Sequence, residues 1–264
     1  MDDDARLLAA YDDQLRTDAE ARGAVAEVPH GPLRLITFPG GRGFVTYRDL
    51  GDADQHEVRR LVGTALGHFR DDTDVGQAEW KTRAHDRAPG LHESLLEHGF
   101  VPEEPESIMV GDLRALVVDV PLPDGVRLRQ VTVEADIRAM GAMQAEVFGD
   151  PDAGPRTEHT LEQLARGDLL ELWVAETDGE FVSAGRVEVV PGTAFAGIWG
   201  GATRPEWRGR GIYRALTAAR AQAALRMGAT MVNSDSTEFS RPILERAGLR
   251  RVSTTTPYLW RRAA

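Results

Sequence analysis

The stretch "GGATRPEWRGRGIYRAL" (residues 200–216) constrains the fold most, because it joins an apolar run to a helix-forming run through a turn of two glycines and two arginines. Upstream, "AFAGIWGGAT" (194–203) reads as a strand; downstream, Gly211 to Met227 is rich in alanine, leucine and arginine, and Gly228 suits the helix stop. The first N–H groups of a helix lack intrahelical partners, and the helix dipole adds partial positive charge there. Gly209 and Gly211 let the backbone approach a ligand closely, and Arg208 and Arg210 can add charge-assisted bonds. A pyrophosphate would use all of these groups. The segment has no G-x-x-x-x-G-K-[ST], and "GRGIYRA" lacks the third glycine of a dinucleotide fingerprint, so nucleotide hydrolysis and a Rossmann cofactor are disfavoured.

The elements around the turn read as an α/β arrangement. "VRLRQV" (126–131) alternates like a strand, and "EADIRAMGAMQAEVF" (134–148) places Ile137, Met140, Ala145 and Phe148 at helical intervals. A short helix is expected over 158–166, then strands in "ELWVAETDG" and "EFVSAGRVEVV" around Asp178-Gly179, leading into 194–203. Beyond the long helix come "ATMVNSD" as a strand, "SRPILERAG" as a helix with Pro242 in its first turn, and "RRVSTTTPYLW" as the last strand. The expectation is a mixed, mostly antiparallel sheet flanked by helices.

Prolines 121 and 123 and the Asp124-Gly125 pair punctuate "VVDVPLPDGVRLRQV", so we place a linker at 116–125 between domains at 1–115 and 126–264. Residues 1–124 hold 13 Lys and Arg against 25 Asp and Glu, whereas 125–264 hold 18 against 17, so nucleic-acid binding is not expected of either part. The acidic start "MDDDARLLAAYDDQ" is unlike a secretory signal, and no run of about 18 apolar residues occurs, which makes a cytoplasmic location without membrane partners the expectation. With no cysteine, thiol chemistry and thiolate zinc sites are excluded. The seven histidines have no H-x-x-x-H spacing, and no metal site is expected.

The quoted segment resembles the acyl-CoA-binding segment of the GNAT superfamily of N-acetyltransferases, whose pattern is R/Q-x-x-G-x-G/A after a strand and a proline. Arg208, Gly209, Arg210, Gly211 and Ile212 match, while Tyr213 replaces the last small residue. "RPILERAGLRRV" resembles the later family segment in which a short helix precedes Gly-Phe, here Gly248-Leu249, so the likeness covers about 126–260. It implies a GNAT acyl-CoA N-acyltransferase fold and acetyl-CoA as co-substrate, its pyrophosphate on the loop. Gly201, Ala202 and Thr203, on the splayed end of the preceding strand, would then contact the pantetheine and acetyl end, with Tyr213 at the loop.

The first half carries a fainter echo. "LHESLLEHGFVPEEPESIMV" parallels "SRPILERAGLRRVSTTTPYLW": Gly99 to Met109 and Gly248 to Tyr258 have the same separation. "RGFVTYRDL" reads as a strand and "QHEVRRLVGTALGHF" as a helix, but the junction "RDLGDADQ" is acidic and lacks the glycine-arginine pattern. Residues 25–115 therefore read as a degenerate or truncated second copy, giving two such domains. Residues 3–21, with Leu7, Leu8, Tyr11 and Leu15 on one face, read as a packing helix.

Acetyl transfer to an amine needs an uncharged nitrogen, a polarised thioester and a proton for the departing thiolate. The resemblance implies a tyrosine four residues before Gly-Phe as acid, but that position is Leu244. Tyr213, Ser240 and Tyr258 are the replacement candidates, against alternative roles in packing, helix capping and the core respectively. Asp235 and Glu238, just after the fifth strand, and Glu188 on an earlier one are candidate bases, and Trp199 walls the acceptor pocket or fills the core. The leading expectation is direct transfer from acetyl-CoA to a small-molecule amine. The acidic first domain would shape the acceptor cleft or a homodimer surface and favour a basic amine such as a polyamine. A peptide or protein amine, a longer acyl donor, a hydroxyl acceptor and a binding module that senses acyl-CoA without turnover all remain open.

Overall fold

The computed structural model describes residues 2–71, 73–149 and 153–263. The chain forms two compact units, Met1–Ile108 with Val252–Ala264 and Met109–Arg251.

In the first unit, α1 (Asp3–Leu15) buries Leu7, Tyr11 and Leu15, and a short 3-10 turn at Asp18–Ala21 ends the stretch expected as one helix. Strands β1 (Ala26–His30), β2 (Leu33–Phe38) and β3 (Arg42–Tyr47) form an antiparallel meander. Helix α2 (Gln55–Asp71) follows, and its buried Val58, Leu61, Val62, Ala65, Leu66 and Phe69 recur at the spacing of a single helical stripe. Strand β4 (Gln77–Arg83) then returns parallel to β3. After α3 (Leu91–Glu97) and the two-residue β5 (Val101–Pro102), strand β6 (Glu106–Asp112) leads out of the unit. Buried charges knit the unit together: Arg16 donates to both oxygens of Asp86 at 2.7 and 2.9 Å and to the Tyr47 carbonyl at 2.8 Å.

The second unit holds β7 (Arg127–Val131), α4 (Glu134–Phe148), α5 (Ala153–Ala165), β8 (Leu170–Thr177), β9 (Glu180–Val189) and β10 (Phe195–Thr203). Then come α6 (Ile212–Arg226), β11 (Met231–Ser236) and α7 (Arg241–Arg246). Strands β7 to β10 are consecutive antiparallel neighbours, and β11 adds in parallel to β10, as the long crossover through α6 requires. One sheet face packs Val187, Ala196, Ile198 and Val232 against Ala221 and Ala224 of α6 and Leu244 of α7. The other packs Leu172, Val174 and Ala184 against Ile137, Met140 and Met143 of α4. Helix α5 begins earlier than the expected 158–166.

The last strand corrects the expected boundary. The stretch read as the closing strand of a 126–264 domain is β12 (Arg250–Arg261), and from Val252 it belongs to the first unit. There it pairs antiparallel with β4 from Thr255↔Arg83 to Arg261↔Gln77, and Tyr258 and Trp260 join that unit's core.

Helix α6 is buried nearly all round, and one of its buried residues is a cation. Arg220 is 1% exposed. Its guanidinium lies beneath Gly185 of β9, where an added Cβ would come within 2.5 Å of Nη1 and 2.8 Å of Cζ. Gly185→Ala should therefore destabilise the fold by about 1–3 kcal/mol through overpacking. Urea denaturation reads the loss, and it should shrink when Arg220 is first shortened to Ala.

Candidate active site

The site is built on the point where two neighbouring strands part. The β10–β11 ladder runs from Phe195↔Met231 to Gly197↔Asn233, and Ser234 Oγ adds one bond to the Ile198 carbonyl at 3.2 Å. Beyond it, β10 is irregular on its other side too: its register against β9 shifts between Trp199 and Ala202. Gly200 sits in this bulge with φ +62° and gives its carbonyl to Gln144 Nε2 of α4 at 2.6 Å. Such a parting leaves backbone beside Gly201, Ala202 and Thr203 for an extended ligand to pair with.

Arg220 lies under the bulge. It sends long hydrogen bonds to the carbonyls of Arg186 and Trp199, at 3.4 and 3.5 Å, and a shorter one to Thr217 Oγ1 at 3.0 Å. Burial pulls its guanidinium below the ordinary arginine range, with Tyr213 opposing that pull. The Tyr213 ring, in the first turn of α6, reaches the strand end: an added Cβ on Gly201 would meet its Cε2 at 2.8 Å.

The turn after β10 has the geometry its glycines suggest. Gly209 and Gly211 have φ of +74° and +81°, and Gly211 is the residue immediately before α6. The first intrahelical bond there runs from Ala215 N–H to the Gly211 carbonyl, so the preceding N–H groups of the helix point outward without helical acceptors. Arg208 and Arg210 are exposed: Arg208 Nε donates to the Thr203 carbonyl at 3.1 Å, and Arg210 stacks 4.8 Å from the centre of Trp207. Ile212 anchors the turn, fully buried beside Val126, Ala175 and Val182. Together these groups fit an anionic ligand that continues along the β10 edge.

Among the acid and base candidates the structure discriminates by position. Tyr213 stands at the strand end, whereas Tyr258 lies in the first unit with its hydroxyl 2.7 Å from His92 Nδ1. Ser240 precedes α7, makes no capping bond and contacts Thr237 at 3.4 Å. Leu244 is fully buried in the α6–α7 core, which explains a hydrocarbon at that position. Glu238 is exposed in the turn after β11, and Asp235 is half-buried on β11. Glu188 is half-buried on β9, directly opposite Gly197 where the ladder ends, and accepts from Gln163 Nε2 at 3.1 Å.

The same face of the sheet carries Trp199 and an arginine the sequence did not single out. Arg186 pairs with Trp199 and with Leu172, and the Trp199 ring lies back over Gly197, whose added Cβ would meet Nε1 at 2.3 Å. Trp199 thus walls this face instead of filling the core. A cavity of about 70 Å³ lies between the helices and this face, lined by Gly141 and Gln144 of α4, Arg156, Thr157 and Thr160 of α5, and Arg186 and Gly200 of the sheet. No cluster of three His, Cys, Asp or Glu side chains suited to a metal occurs among the described residues, and none of their helices is long and apolar enough to cross a membrane.

Residues 137–248 match the acetyltransferase (GNAT) family. No curated protein matches the chain. Among solved structures, a GCN5-related N-acetyltransferase from Kribbella flavida is similar with TM-score 0.70 and 19% identity, over 100% of this chain and 97% of that one. A GCN5-related N-acetyltransferase from Sphaerobacter thermophilus gives 0.66 and 20%, over 98% and 92%. A tandem GNAT protein from the clavulanic acid biosynthesis pathway gives 0.58 and 16%, over 99% and 97%. These likenesses span both units, which fit two domains of one fold.

Gly211→Ala tests the turn. The substitution forces a Cβ into the left-handed region at about 1–2 kcal/mol, and this Cβ would sit 3.3 Å from Val120 Cγ1. Chemical denaturation should record a loss of that size.

Proposed function

We propose, from the GNAT-family acetyltransferase domain that this chain carries over residues 137–248, that the second unit transfers an acetyl group from acetyl-CoA directly to the amine of a small molecule. The observation that carries the reading is the conjunction of the β10–β11 parting with the glycine-arginine turn at the start of α6.

The fit to acetyl-CoA rests on charge and on open backbone. The N–H groups at Gly209 to Tyr213, with Arg208 and Arg210, would hold the pyrophosphate, and Gly201 to Thr203 would run beside the pantetheine arm. When bound, acetyl-CoA supplies an activated thioester. In the reaction a C–N bond forms to the acceptor, the C–S bond breaks, the amine proton leaves to a base, and the sulfur departs as a protonated thiol.

Glu188 is the carboxylate best placed to receive the proton. It stands opposite Gly197, where the strands part, and the amide of Gln163 fixes its orientation. Tyr213 is the hydroxyl-bearing group at the other edge of the opening, against Gly201, and would return a proton to sulfur. Asp235 lies on β11 two residues beyond Asn233, on the same sheet face, and can add negative potential there. Arg220 touches no reacting atom in this scheme; it positions the bulge by holding the Arg186 and Trp199 carbonyls.

A ligand bound to the folded state alone raises its melting temperature. Acetyl-CoA and coenzyme A should each do so, ATP should not, and Arg208→Ala/Arg210→Ala should abolish the shift; no response to either CoA form at millimolar concentration would remove the reading's main support. Glu188→Gln should lower kcat/KM about a hundredfold or more, while the thermal shift with coenzyme A stays. Retained coenzyme A binding without thiol release from any amine would instead favour an acyl-CoA-sensing module.

A further inference from the structure

The stretch between β10 and α6 carries arginines at 204, 208 and 210, and each is held by a different kind of partner. Arg204 donates from Nη1 to the Glu146 carboxylate at 2.9 Å and from Nε to the Phe181 carbonyl at 3.0 Å, so a carboxylate already answers its charge. Arg208 keeps its Nε on the Thr203 carbonyl at 3.1 Å. Arg210 is exposed, and among the described residues it has neither a carboxylate nor a carbonyl; its guanidinium carbon lies 4.8 Å from the centre of the Trp207 ring.

The local fold fixes both members of this pair. Trp207 closes a 3-10 turn that starts at Pro205, and its N–H donates to the Arg204 carbonyl at 2.9 Å. Its half-buried side chain packs on the cluster of Val126, Ala175, Val182 and Ile212. Ile212 is also the first residue of α6, so the ring and the helix start are anchored in one piece of core. Gly209 and Gly211 flank Arg210 with φ of +74° and +81°, and the chain reverses around it, bringing residue 210 back over residue 207. The first turn of α6 holds no acidic residue, so the stacked guanidinium sits where the helix start is itself positive.

The choice of an aromatic partner has a physical consequence. An aromatic face attracts a guanidinium and limits its orientation without neutralising it, and a stacked guanidinium keeps its N–H donors for other acceptors. A carboxylate in place of Trp207 would orient Arg210 equally well, but it would take up those donors and repel a phosphate. An arginine with no support would keep its charge and lose rotamer freedom on binding. We propose, resting on the acetyl-CoA reading above, that Trp207 is a positioning residue for the cofactor: it holds Arg210 charged and ready beside the start of α6 to receive the pyrophosphate. Arg208, tethered to β10 through its Nε, does not depend on it.

A double-mutant cycle tests this, with calorimetric titration of coenzyme A into the full chain. Arg210→Ala should raise Kd about tenfold or more, as expected for the loss of a charge-assisted bond. Trp207→Leu, which keeps an apolar side chain on the cluster, should raise Kd about threefold or more, and Trp207→Phe should fall between Leu and the wild type because its ring binds cations less strongly. In the Arg210→Ala background both Trp207 substitutions should add almost nothing, whereas in an Arg208→Ala background their effect should persist. A role confined to packing would give the same loss with and without Arg210. Melting temperatures of the unliganded variants confirm folding, and where Trp207→Leu does not fold, Trp207→Phe decides the cycle. An unchanged Kd in the Trp207 variants, or a loss that survives removal of Arg210, would overturn the inference and leave the proposed function standing. If the wild type itself fails to bind coenzyme A at millimolar concentration, both fall.

Discussion

The parting of β10 from β11 after Gly197 is the constraint on which the second unit's chemistry depends, and a buried arginine holds it. A sheet gains by continuing its ladder, so a strand end that stops pairing needs its freed carbonyls engaged elsewhere. Arg220 engages the Trp199 carbonyl on β10 and, from the same guanidinium nitrogen, the Arg186 carbonyl on the neighbouring β9, and Gln144 engages the Gly200 carbonyl from the opposite face. No carboxylate hydrogen-bonds Arg220 among the described residues; its partners are carbonyls, the Thr217 hydroxyl and Tyr213, whose ring centre lies 5.9 Å away. Burying a cation on such neutral partners is costly. A hydrocarbon would leave the carbonyls unmet, and a partnering carboxylate would draw the guanidinium away from them. The cost is accepted where the backbone has to stay open.

The two units run the same sequence of parts, strand to turn to helix to parallel strand, and their turns differ in one chemical respect. In the second unit the turn presents arginines and left-handed glycines to the start of α6. In the first, the corresponding turn between β3 and α2 supplies its own anions: Asp54 Oδ1 accepts from Glu57 N–H at 2.9 Å, and Asp49 Oδ1 accepts from Gly51 N–H at 2.7 Å. A helix start already capped by carboxylate repels an incoming phosphate. The first unit thus keeps the fold and sets carboxylates where the second presents arginines. Its buried charges, such as Arg16 on Asp86 and Arg83 with Glu20, serve its own packing.

What the sequence makes legible is local. The strand, turn and helix around Arg208 to Ile212 follow from glycine placement and alanine-rich periodicity, which involve neighbours within a few residues. The destination of the last strand is not local: "RRVSTTTPYLW" reads equally well as a partner for any strand, and its pairing with β4 joins residues more than a hundred and seventy positions apart. Tyr258 therefore reads from the sequence as a residue of the second unit and lies in the first. Arg220 was hidden for another reason, since an arginine in a helix ordinarily reads as solvated. The alanines at 215, 218, 221, 223 and 224 are the signal that could have exposed it, because a helix lined with small residues on most sides has little surface left to solvate a cation. Arg186 was hidden inside a strand whose alternation was clear but whose two faces could not be ranked until α4 and α5 covered one of them.

The charge of a chain and the charge of a site are independent quantities here, and the fold separates them. Acidic residues concentrate in the first 124 positions, and among them Asp49, Asp54 and Asp86 meet a backbone N–H or an arginine. On β9 the alternation of side chains sets Arg186 and Glu188 on the face covered by α4 and α5, with Val187 and Val189 turned to the α6 core. Strand geometry therefore fixes the spacing of these two charges and the face they share. A one-residue slip in the β9 register would bury both charges in hydrocarbon and expose two valines, so the apolar core enforces the polarity of the site.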